Sequence, residues 1–394
     1  MKTCYLNALG MICSLGANRG EIKRNSLDLA QSGVASSELF SPGRSLPVGR
    51  VAALLPAVDD LPVSQRSHNN QLALAALAQI RTAVDAAIER YGAQRCGVVI
   101  GTSTSGIGEG EAALHEHVVT GKLPTQFHYG QQELSSAAAM LAAKLGVSGP
   151  ACVASSACAS SAKALASAAR LIRMGLCDAV LAGGVDSLCQ FTVAGFCALE
   201  SMSEARCNPL SRNRNGMNIG EGAALFLMSE DPSTVALRGW GESSDGYHIS
   251  APDPAGTGAQ LAIERALARA GMGPRDIDYV NLHGTGTIQN DAMEARVVAT
   301  LFGNEQPVSS TKPMTGHALG AAGAIEAGLC WLAMQDDNPN GKLPPHLWDG
   351  DADPELPTLN VAEPGYGLGR PLRRAVSNSF AFGGANAVLV LARE

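Results

Sequence analysis

The chain has 394 residues, of which 46% are hydrophobic and 16% are charged, and its formal net charge is −7. An acidic balance without a run of lysines and arginines argues against nucleic-acid binding. No segment reaches the ~18 uninterrupted apolar residues that a membrane span needs, so we expect a cytoplasmic protein without membrane contact.

The first predicted element lies at the N-terminus. The segment "MKTCYLNALGMICSLGANRG" has a lysine, an apolar run and small residues, which are also the features of a secretory signal. Asn7 interrupts the apolar run, and the basic region is a single residue. We therefore predict a first β-strand here and no secretory signal.

Apolar runs of strand length then alternate with longer alanine-rich helical runs. Alternation of this kind predicts an α/β fold in which most strands are parallel. Strands are predicted at 96–105, 179–187 and 223–230, helices at 71–92, 135–146 and after Cys158, and a long surface loop at 337–357.

A weak internal repeat divides the chain into two similar parts. In each part a strand runs into a Gly/Thr-rich loop, "IGTSTSG" (100–106) or "YVNLHGTGT" (279–287), and a small-residue helix follows downstream. Repetition of one supersecondary unit predicts a duplicated α/β architecture. We place the first half at residues 1–235 and the second half at residues 236–394.

The ligand-type residues give no metal signature. The ten cysteines form no CxxC pair, which is typical of reduced thiols in a cytosolic protein. His115 and His117 are two positions apart, so on a helix their imidazoles point to opposite sides. We therefore predict no metal.

Cys158 lies among serines and alanines in "VASSACASSAKALASAARLIRMG", residues 153–175. Ser155 and Ser156 are favourable N-cap residues, so the pattern predicts that Cys158 occupies the first turn of a helix. Unpaired backbone N–H groups and the helix dipole at that point favour a thiolate and can hold an oxyanion. A small buried cysteine in a tight helix contact is the alternative, and this segment alone does not decide between them.

Two histidines stand in settings related to that of Cys158. His283 follows the apolar "YVNL" and opens "HGTGT", and His317 precedes a small-residue helix in "KPMTGHALGAAGAIE". Reactive groups of α/β proteins are commonly placed at such strand ends. A cysteine with two histidines suits a protease-like dyad, and it equally suits thioester chemistry in which the imidazoles stabilise an enolate.

Four motifs in order resemble a known family. They are "SSACASS" (155–161), "LHGTGTIQND" (282–291), "KPMTGHALGAAGAIEA" (312–327) and "SNSFAFGGANAVLVL" (377–391). The chain resembles the elongating β-ketoacyl-acyl-carrier-protein synthases of the thiolase superfamily over its whole length. The resemblance implies a thiolase-like α/β fold of five layers, αβαβα, in two duplicated halves.

The resemblance also implies a role for each matching residue. Cys158 would be the acylated nucleophile, and His283 and His317 would hold the malonyl thioester while CO2 is lost. The remaining implied roles are a supporting ion pair (Lys312 and Glu326), a gating and oxyanion-hole residue (Phe382), and contacts to the phosphopantetheine arm (Thr285 and Thr287). A surface charge is the alternative for Lys312 and for Glu326, and core packing is preferred for Phe380.

The implied reaction is a decarboxylative Claisen condensation that lengthens an acyl chain by two carbons. The enzyme would need no cofactor of its own, because phosphopantetheine arrives on the acyl carrier protein. We expect a homodimer or a heterodimer with a related synthase. The alternative is a non-condensing partner subunit resembling a chain-length factor, although such subunits typically lack the nucleophilic cysteine. A thiolase and a starter-type synthase are less favoured. Thiolases carry a second cysteine near the C-terminus, where this chain reads "SFAFGGAN" without cysteine, and starter-type synthases replace the second histidine, which this chain has as His317.

The segment "PLSRNRNGMNIGEG" (209–222) departs from the family pattern, which is usually acidic at the positions of Ser211 and Asn215. Arg214 would therefore lack its usual carboxylates. Arg206, Arg212 and Arg214 are candidates to dock an acidic carrier protein, with a solvated loop as the alternative. The departures favour a secondary pathway, such as an aryl polyene or type II polyketide-like pathway, over primary fatty-acid synthesis.

Overall fold

The computed structural model describes residues 2–394, which contain thirteen β-strands. They are β1 (Cys4–Cys13), β2 (Ala35–Ser37), β3 (Leu46–Val48), β4 (Cys96–Gly101), β5 (Ala151–Ala154), β6 (Ala179–Asp186), β7 (Gly222–Ser229), β8 (Val235–Ser244), β9 (Tyr279–Asn281), β10 (Pro307–Ser309), β11 (Asn360–Val361), β12 (Arg374–Phe380) and β13 (Ala385–Arg393).

The same part of the chain contains eleven α-helices. They are α1 (Arg19–Lys23), α2 (His68–Ala78), α3 (Arg81–Tyr91), α4 (Ile107–Thr120), α5 (Ser136–Leu145), α6 (Ser160–Arg173), α7 (Gln190–Ala198), α8 (Thr257–Ala270), α9 (Ile288–Phe302), α10 (Lys312–Thr315) and α11 (Ala322–Ala333). No helix of residues 2–394 is long and apolar enough to span a membrane.

Eleven of the described strands form one mixed sheet, in the order β11-β10-β9-β12-β13-β8-β1-β7-β6-β4-β5. Its two parts, β1-β7-β6-β4-β5 and β8-β13-β12-β9-β10, have the same strand order relative to the chain. The parts join where Cys4 and Tyr5 pair with Leu237 and Ala236. The duplicated architecture is therefore confirmed, while the boundary between residues 235 and 236 stays a prediction.

Apolar side chains fill the space between the layers in three clusters. The central core contains α6 and α11, which lie between the two parts of the sheet. A second core joins α2 and α5 to the outer face of the first part. A third joins α8 and α9 to the outer face of the second part. The layers are thus αβαβα, and the predicted fold class is confirmed.

Small residues in α6 and α11 allow the two central helices to approach closely. A Cβ atom added to Gly323 of α11 would lie 3.1 Å from the Cβ of Ala162 on α6. One added to Gly184 of the neighbouring strand β6 would lie 2.4 Å from the Cβ of Ser161 on α6. Interiors are close-packed, so larger side chains at these contacts would force α6 away from α11 and from β6. This packing explains why the sequence is rich in alanine and glycine at these positions.

The prediction that most strands are parallel is wrong. Of the ten strand pairs in the large sheet of the described chain, five are antiparallel. Only four residues separate Phe380, the last residue of β12, from Ala385, the first residue of β13. So short a connection makes a hairpin, because a parallel pair needs a crossover of a dozen residues or more.

The predicted helix at 71–92 is two helices, α2 and α3, that break at Gln79 and Ile80. The Gln79 side chain donates to the Met11 carbonyl at 2.8 Å and accepts from the Met11 N–H at 3.3 Å, so it pairs with β1 as a strand would. The strands predicted at the N-terminus and near residues 96, 179 and 223 are confirmed as β1, β4, β6 and β7.

The loop predicted at 337–357 has no helix or strand, but residues 343–347 are buried rather than on the surface. His346 explains this position. Its Nδ1 accepts from the Ser310 N–H at 2.9 Å, and its Nε2 lies 2.9 Å from the Pro209 carbonyl oxygen. Since Nδ1 is an acceptor, Nε2 carries the proton and donates to Pro209. The loop is therefore fixed against the end of β10.

Candidate active site

Cys158 lies on a tight turn between β5 and α6. The helix begins at Ser160 with Ala159 as its N-cap, so the prediction that Cys158 is in the first helical turn, capped by Ser155 or Ser156, is wrong. Ala157 has a φ of +47°, a conformation that non-glycine residues seldom adopt. The Ser160 hydroxyl closes the turn, since it accepts from the Ser156 N–H at 2.8 Å and donates to the Ala157 carbonyl at 2.6 Å.

The Cys158 thiol is buried, and burial raises its pKa to about 12, against the opposing effects of the Lys312 ammonium and the Phe382 backbone N–H. Desolvation therefore opposes the thiolate that the sequence pattern favours, and the thiolate stays a prediction. His317 offers a route for the proton, since its Nε2 lies 3.0 Å from the Cys158 Sγ. The thiol can be activated during attack rather than beforehand.

His283 and His317 lie beside each other at this thiol. Their ring centroids are 5.2 Å apart with the planes at 82°, and one ligand-type atom from each imidazole and the Cys158 sulfur all lie within 4.8 Å of one another. Burial, and after it the charge of Lys312, lowers the pKa of both imidazoles well below the usual value. Both rings are therefore neutral near pH 7. The sequence prediction that these three residues share one site is confirmed.

Glu294 fixes the backbone around His283. This buried carboxylate on α9 accepts from the N–H groups of His283 at 2.8 Å and Gly284 at 2.7 Å. The Asn378 amide donates to it at 3.0 Å. Glu294 was not among the site residues predicted from the sequence, although an acidic residue on the helix after "HGTGT" was a detectable signal.

The segment before β7 holds His317 through its backbone. The His317 N–H donates to the Asn218 carbonyl at 2.7 Å, and the His317 carbonyl accepts from the Gly220 N–H at 2.9 Å. Asn218 is fixed in turn, because its Oδ1 accepts from the Cys207 N–H at 2.6 Å. Both parts of the duplicated fold thus supply the site.

Lys312 and Glu326 form a buried ion pair, with side chains that are 0% and 2% exposed. The ammonium group also donates to the His283 carbonyl. Burial raises the pKa of Glu326 to about 7 against the attraction of Lys312. The alternative that these residues are surface charges is wrong, and the pair joins α10 and α11 to the His283 loop.

A narrow cavity of about 40 Å³ leads to His283. Thr285, Thr287 and Phe382 line it, and the two threonine hydroxyls are 2.9 Å apart. The Phe382 ring is partly buried, 5.8 Å from the ring of Phe196 on α7. The predicted gate and arm-binding residues therefore share one entrance.

Phe380 is buried in the third core and also faces His283, with ring centroids 6.2 Å apart. The preferred core-packing interpretation of Phe380 is therefore confirmed. Its ring additionally forms part of the cavity wall at His283.

Carboxylates from the loop 337–357 replace those missing from the segment 209–222. Asp353 pairs with Arg214, which is buried, and the side chain of Asp351 accepts from Arg212 at 2.7 Å. Arg214 therefore lacks the carboxylates usual at positions 211 and 215, but Asp353 supplies another. The burial and pairing of Arg214 also exclude it from carrier docking, whereas Arg206 is exposed.

The cysteine and the two histidines are also donor types that zinc accepts. Lys312 adds positive charge at both imidazoles, as its effect on their pKa shows, and this charge disfavours a bound cation. The sequence prediction of no metal remains a prediction.

A thiolase-like double fold with a buried Cys–His–His set at the junction of its halves defines a condensing enzyme of the thiolase superfamily. Family models describe the same relationship: the β-ketoacyl synthase N-terminal domain matches residues 58–233, and the C-terminal domain matches residues 235–347. The chain belongs to the β-ketoacyl synthase family, and it is an acyltransferase-type condensing enzyme.

Individual relatives agree with this assignment. The chain is 33% identical to a 3-oxoacyl-[acyl-carrier-protein] synthase 2 of Staphylococcus aureus, over 76% of this chain and 77% of the relative. It is 33% identical to nodulation protein E of Rhizobium sp. (strain N33), over 98% of both. A chain from the solved complex of a ketosynthase with its chain length factor from Xenorhabdus doucetiae is 44% identical, with a TM-score of 0.93, over 100% of this chain and 98% of that one.

Proposed function

We propose that this ketosynthase condenses an acyl chain held on Cys158 with a malonyl group delivered by an acyl carrier protein. The observation that carries the proposal is the buried arrangement in which His317 Nε2 lies 3.0 Å from Cys158 Sγ. His283 lies edge-on to His317 at 5.2 Å between ring centroids. One histidine can thus serve the thiol, and both can reach a second thioester.

In the first half-reaction the Cys158 sulfur attacks the acyl thioester while its proton passes to His317 Nε2. Because the thiol has a high pKa, this transfer accompanies attack. The backbone N–H of Phe382, which already bonds the sulfur, would turn with that of Cys158 toward the oxyanion of the tetrahedral intermediate. The carbon–sulfur bond to the carrier then breaks, and the leaving phosphopantetheine thiolate takes the proton from His317.

In the second half-reaction a malonyl thioester enters the same site. N–H groups of the two neutral imidazoles donate to its carbonyl oxygen, which lowers the energy of the enolate formed as CO2 departs. The enolate carbon attacks the acyl-Cys158 carbonyl. Collapse of that adduct expels the Cys158 thiolate, which takes a proton from solvent, and leaves a β-ketoacyl carrier two carbons longer.

Thr285 and Thr287 are proposed to bind the phosphopantetheine arm, because their hydroxyls line the entrance beside His283. Phe382 is proposed to gate that entrance. Gly383 and Gly384 follow it with φ values of +83° and +71°, conformations that glycine adopts without strain. The arm comes with the substrate, so no further cofactor is invoked.

An acyl carrier protein and a second synthase chain are the proposed partners. Arg206 is exposed and would meet an acidic carrier. The strand β5, which leads directly to the Cys158 turn, lies at the end of the sheet with Ala151 and Cys152 exposed. An unpaired strand edge is a template for pairing with another chain. Light scattering on the purified chain would distinguish a homodimer from a subunit that needs a related synthase.

A secondary pathway, of the aryl polyene or polyketide type, is proposed for this ketosynthase. The support is the altered segment 209–222 and the 44% identity to a chain of a ketosynthase–chain length factor complex. The same complex favours the alternative function, a chain-length-factor-like subunit. Cys158 supports the condensing enzyme, because a subunit without condensing activity has no use for an acylated thiol.

Acyl transfer provides the test. The chain is incubated with acyl carriers of different length and saturation, and intact mass reports the adduct. We expect an acyl adduct on the wild type and on a Cys152→Ala variant, which removes an exposed thiol, and none on Cys158→Ala. An unmodified wild type would overturn the proposal.

Loss of CO2 from malonyl carrier tests the histidines. We expect His283→Ala and His317→Ala each to lose decarboxylation by more than about 100-fold, because each removes a donor to the enolate oxygen. His115→Ala, on the exposed face of α4, is the control. Decarboxylation that survives in either site variant would contradict its assigned role.

A further inference from the structure

The carboxylate of Asp186, at the end of β6, is buried and fully surrounded by donors. It accepts from the hydroxyls of Thr102 at 2.6 Å, Ser103 at 2.5 Å and Thr104 at 2.8 Å. It also accepts from the N–H groups of Ser103 at 2.8 Å, Thr104 at 2.9 Å and Gly320 at 2.6 Å. Nothing in the catalytic steps above uses this group.

These donors come from both halves of the fold. Residues 102–104 follow β4 in the first half, whereas Gly320 lies in the second half, three residues after His317. A Cβ atom added to Gly320 would lie 2.7 Å from the Asp186 Oδ2 and 2.8 Å from the Ser103 nitrogen. The turn that follows His317 is therefore pressed directly against the carboxylate.

This contact completes the support of His317. Asn218 and Gly220 bond the backbone N–H and carbonyl of His317. The bond from the Gly320 N–H to Asp186 holds the next turn, Leu319–Ala321, which connects His317 to α11. Leu319 has a φ of +47°, so this turn keeps a strained backbone that its surroundings must hold in place. Bonds from N–H groups to a buried carboxylate are among the strong ones, which suits that task.

We propose that Asp186 is a positioning residue for the condensation: it ties the turn after His317 to the loop after β4 and thereby fixes His317 against Cys158. The proposal rests on the proposed function in taking these two side chains as reacting groups. Asp186→Asn tests the proposal. The substitution replaces one accepting oxygen with an NH2 group, which would face N–H or hydroxyl donors and so lose their hydrogen bonds. Gly320→Ala is a second test. It disturbs the same contact with Asp186, but from the second half of the fold, because the added methyl group would collide with the carboxylate.

We expect each variant to lower kcat by about 100-fold, since a displacement of about 1 Å in a reacting group costs this much. KM for the acyl carrier should change by less than about threefold, because the entrance at Thr287 is untouched. The double variant should be no slower than the slower single variant, because the two substitutions disrupt the same contact and their effects should not add. Asp178→Asn, at the opposite end of β6 and ion-paired to Arg95, is the matched control with unchanged kcat.

Histidine side-chain NMR keeps the test independent of activity. The His317 resonance, assigned with His317→Ala, should shift in Asp186→Asn and in Gly320→Ala and stay in place in Asp178→Asn. Unshifted His317 resonances, an unchanged kcat, or additive losses in the double variant would overturn the proposal. A wild type that fails to condense would count against the proposed function, and the NMR comparison would still decide the role of Asp186.

Discussion

Acid should weaken the fold through His346, which pins the buried loop to the end of β10. Burial lowers the pKa of His346 from its ordinary value of 6.5 to about 4. A folded pKa below the unfolded one means that the unfolded chain binds more protons between these two values. The stability contributed by neutral His346 is therefore present above pH 6.5 and lost as the pH falls toward 4.

The size of this loss follows from the shift. Each pKa unit is worth about 1.4 kcal/mol, so the whole effect is roughly 3 kcal/mol, of which about 2 kcal/mol is lost by pH 5. Buried carboxyls such as Glu326, whose pKa is raised to about 7, contribute with the opposite sign. The difference between wild type and a non-titrating variant isolates His346 from them.

Urea unfolding of wild type and His346→Gln at pH 7.5, 6 and 5 measures the difference. The variant should be less stable at pH 7.5, because it loses the hydrogen bonds to Ser310 and Pro209. Its deficit should shrink by about 2 kcal/mol between pH 7.5 and pH 5. His115→Gln, on an exposed helix face, should follow the wild type at every pH. A constant difference between wild type and His346→Gln across this range would refute the reasoning.

Three further predictions concern the site. Lys312→Met should abolish condensation and lower the free energy of unfolding by about 3 kcal/mol at pH 8, because Glu326 is left buried and unpaired. The control Lys2→Met breaks an exposed ion pair with Glu230 and should change the free energy of unfolding by less than about 1 kcal/mol. Equal losses of stability in Lys312→Met and Lys2→Met would contradict the argument. Thr287→Val should raise KM for the acyl carrier about tenfold without changing the melting temperature, and an unchanged KM would remove it from the arm site. Dialysis against a chelator should leave the condensation rate within about twofold, whereas loss restored by zinc would assign a metal to the Cys–His–His set.

The layered fold was largely predictable from the sequence. Alternating strand and helix patterns and the repeat of loop and small-residue helix indicated two α/β units, which the matching strand orders confirm. The mixed direction of the strands was not predictable from apolar runs, because a buried strand has the same composition in either direction. The break at Gln79 was missed because it depends on a side chain that pairs with β1, far away in sequence.

The site was predictable in its members but not in its electrostatics. Cys158, His283 and His317 could be recognised from their small neighbours, and the structure brings them together. The thiolate expectation left out desolvation, which raises the pKa of the Cys158 thiol to about 12, because a local helix pattern does not reveal burial. Asp353 and Arg214, and Asp186 and Gly320, are more than 100 positions apart, so their pairing required the fold.

The central claim, that Cys158 and the two histidines carry out a condensation, is tested most directly by the product of one mixed reaction. Acyl carrier and malonyl carrier are incubated with the chain, and the carrier-bound products are analysed by mass spectrometry. The account predicts a β-ketoacyl carrier two carbons longer than the acyl donor with the wild type and with Cys152→Ala, and none with Cys158→Ala. Extension by Cys158→Ala, or an acylated wild type that releases no CO2 and forms no product, would contradict it.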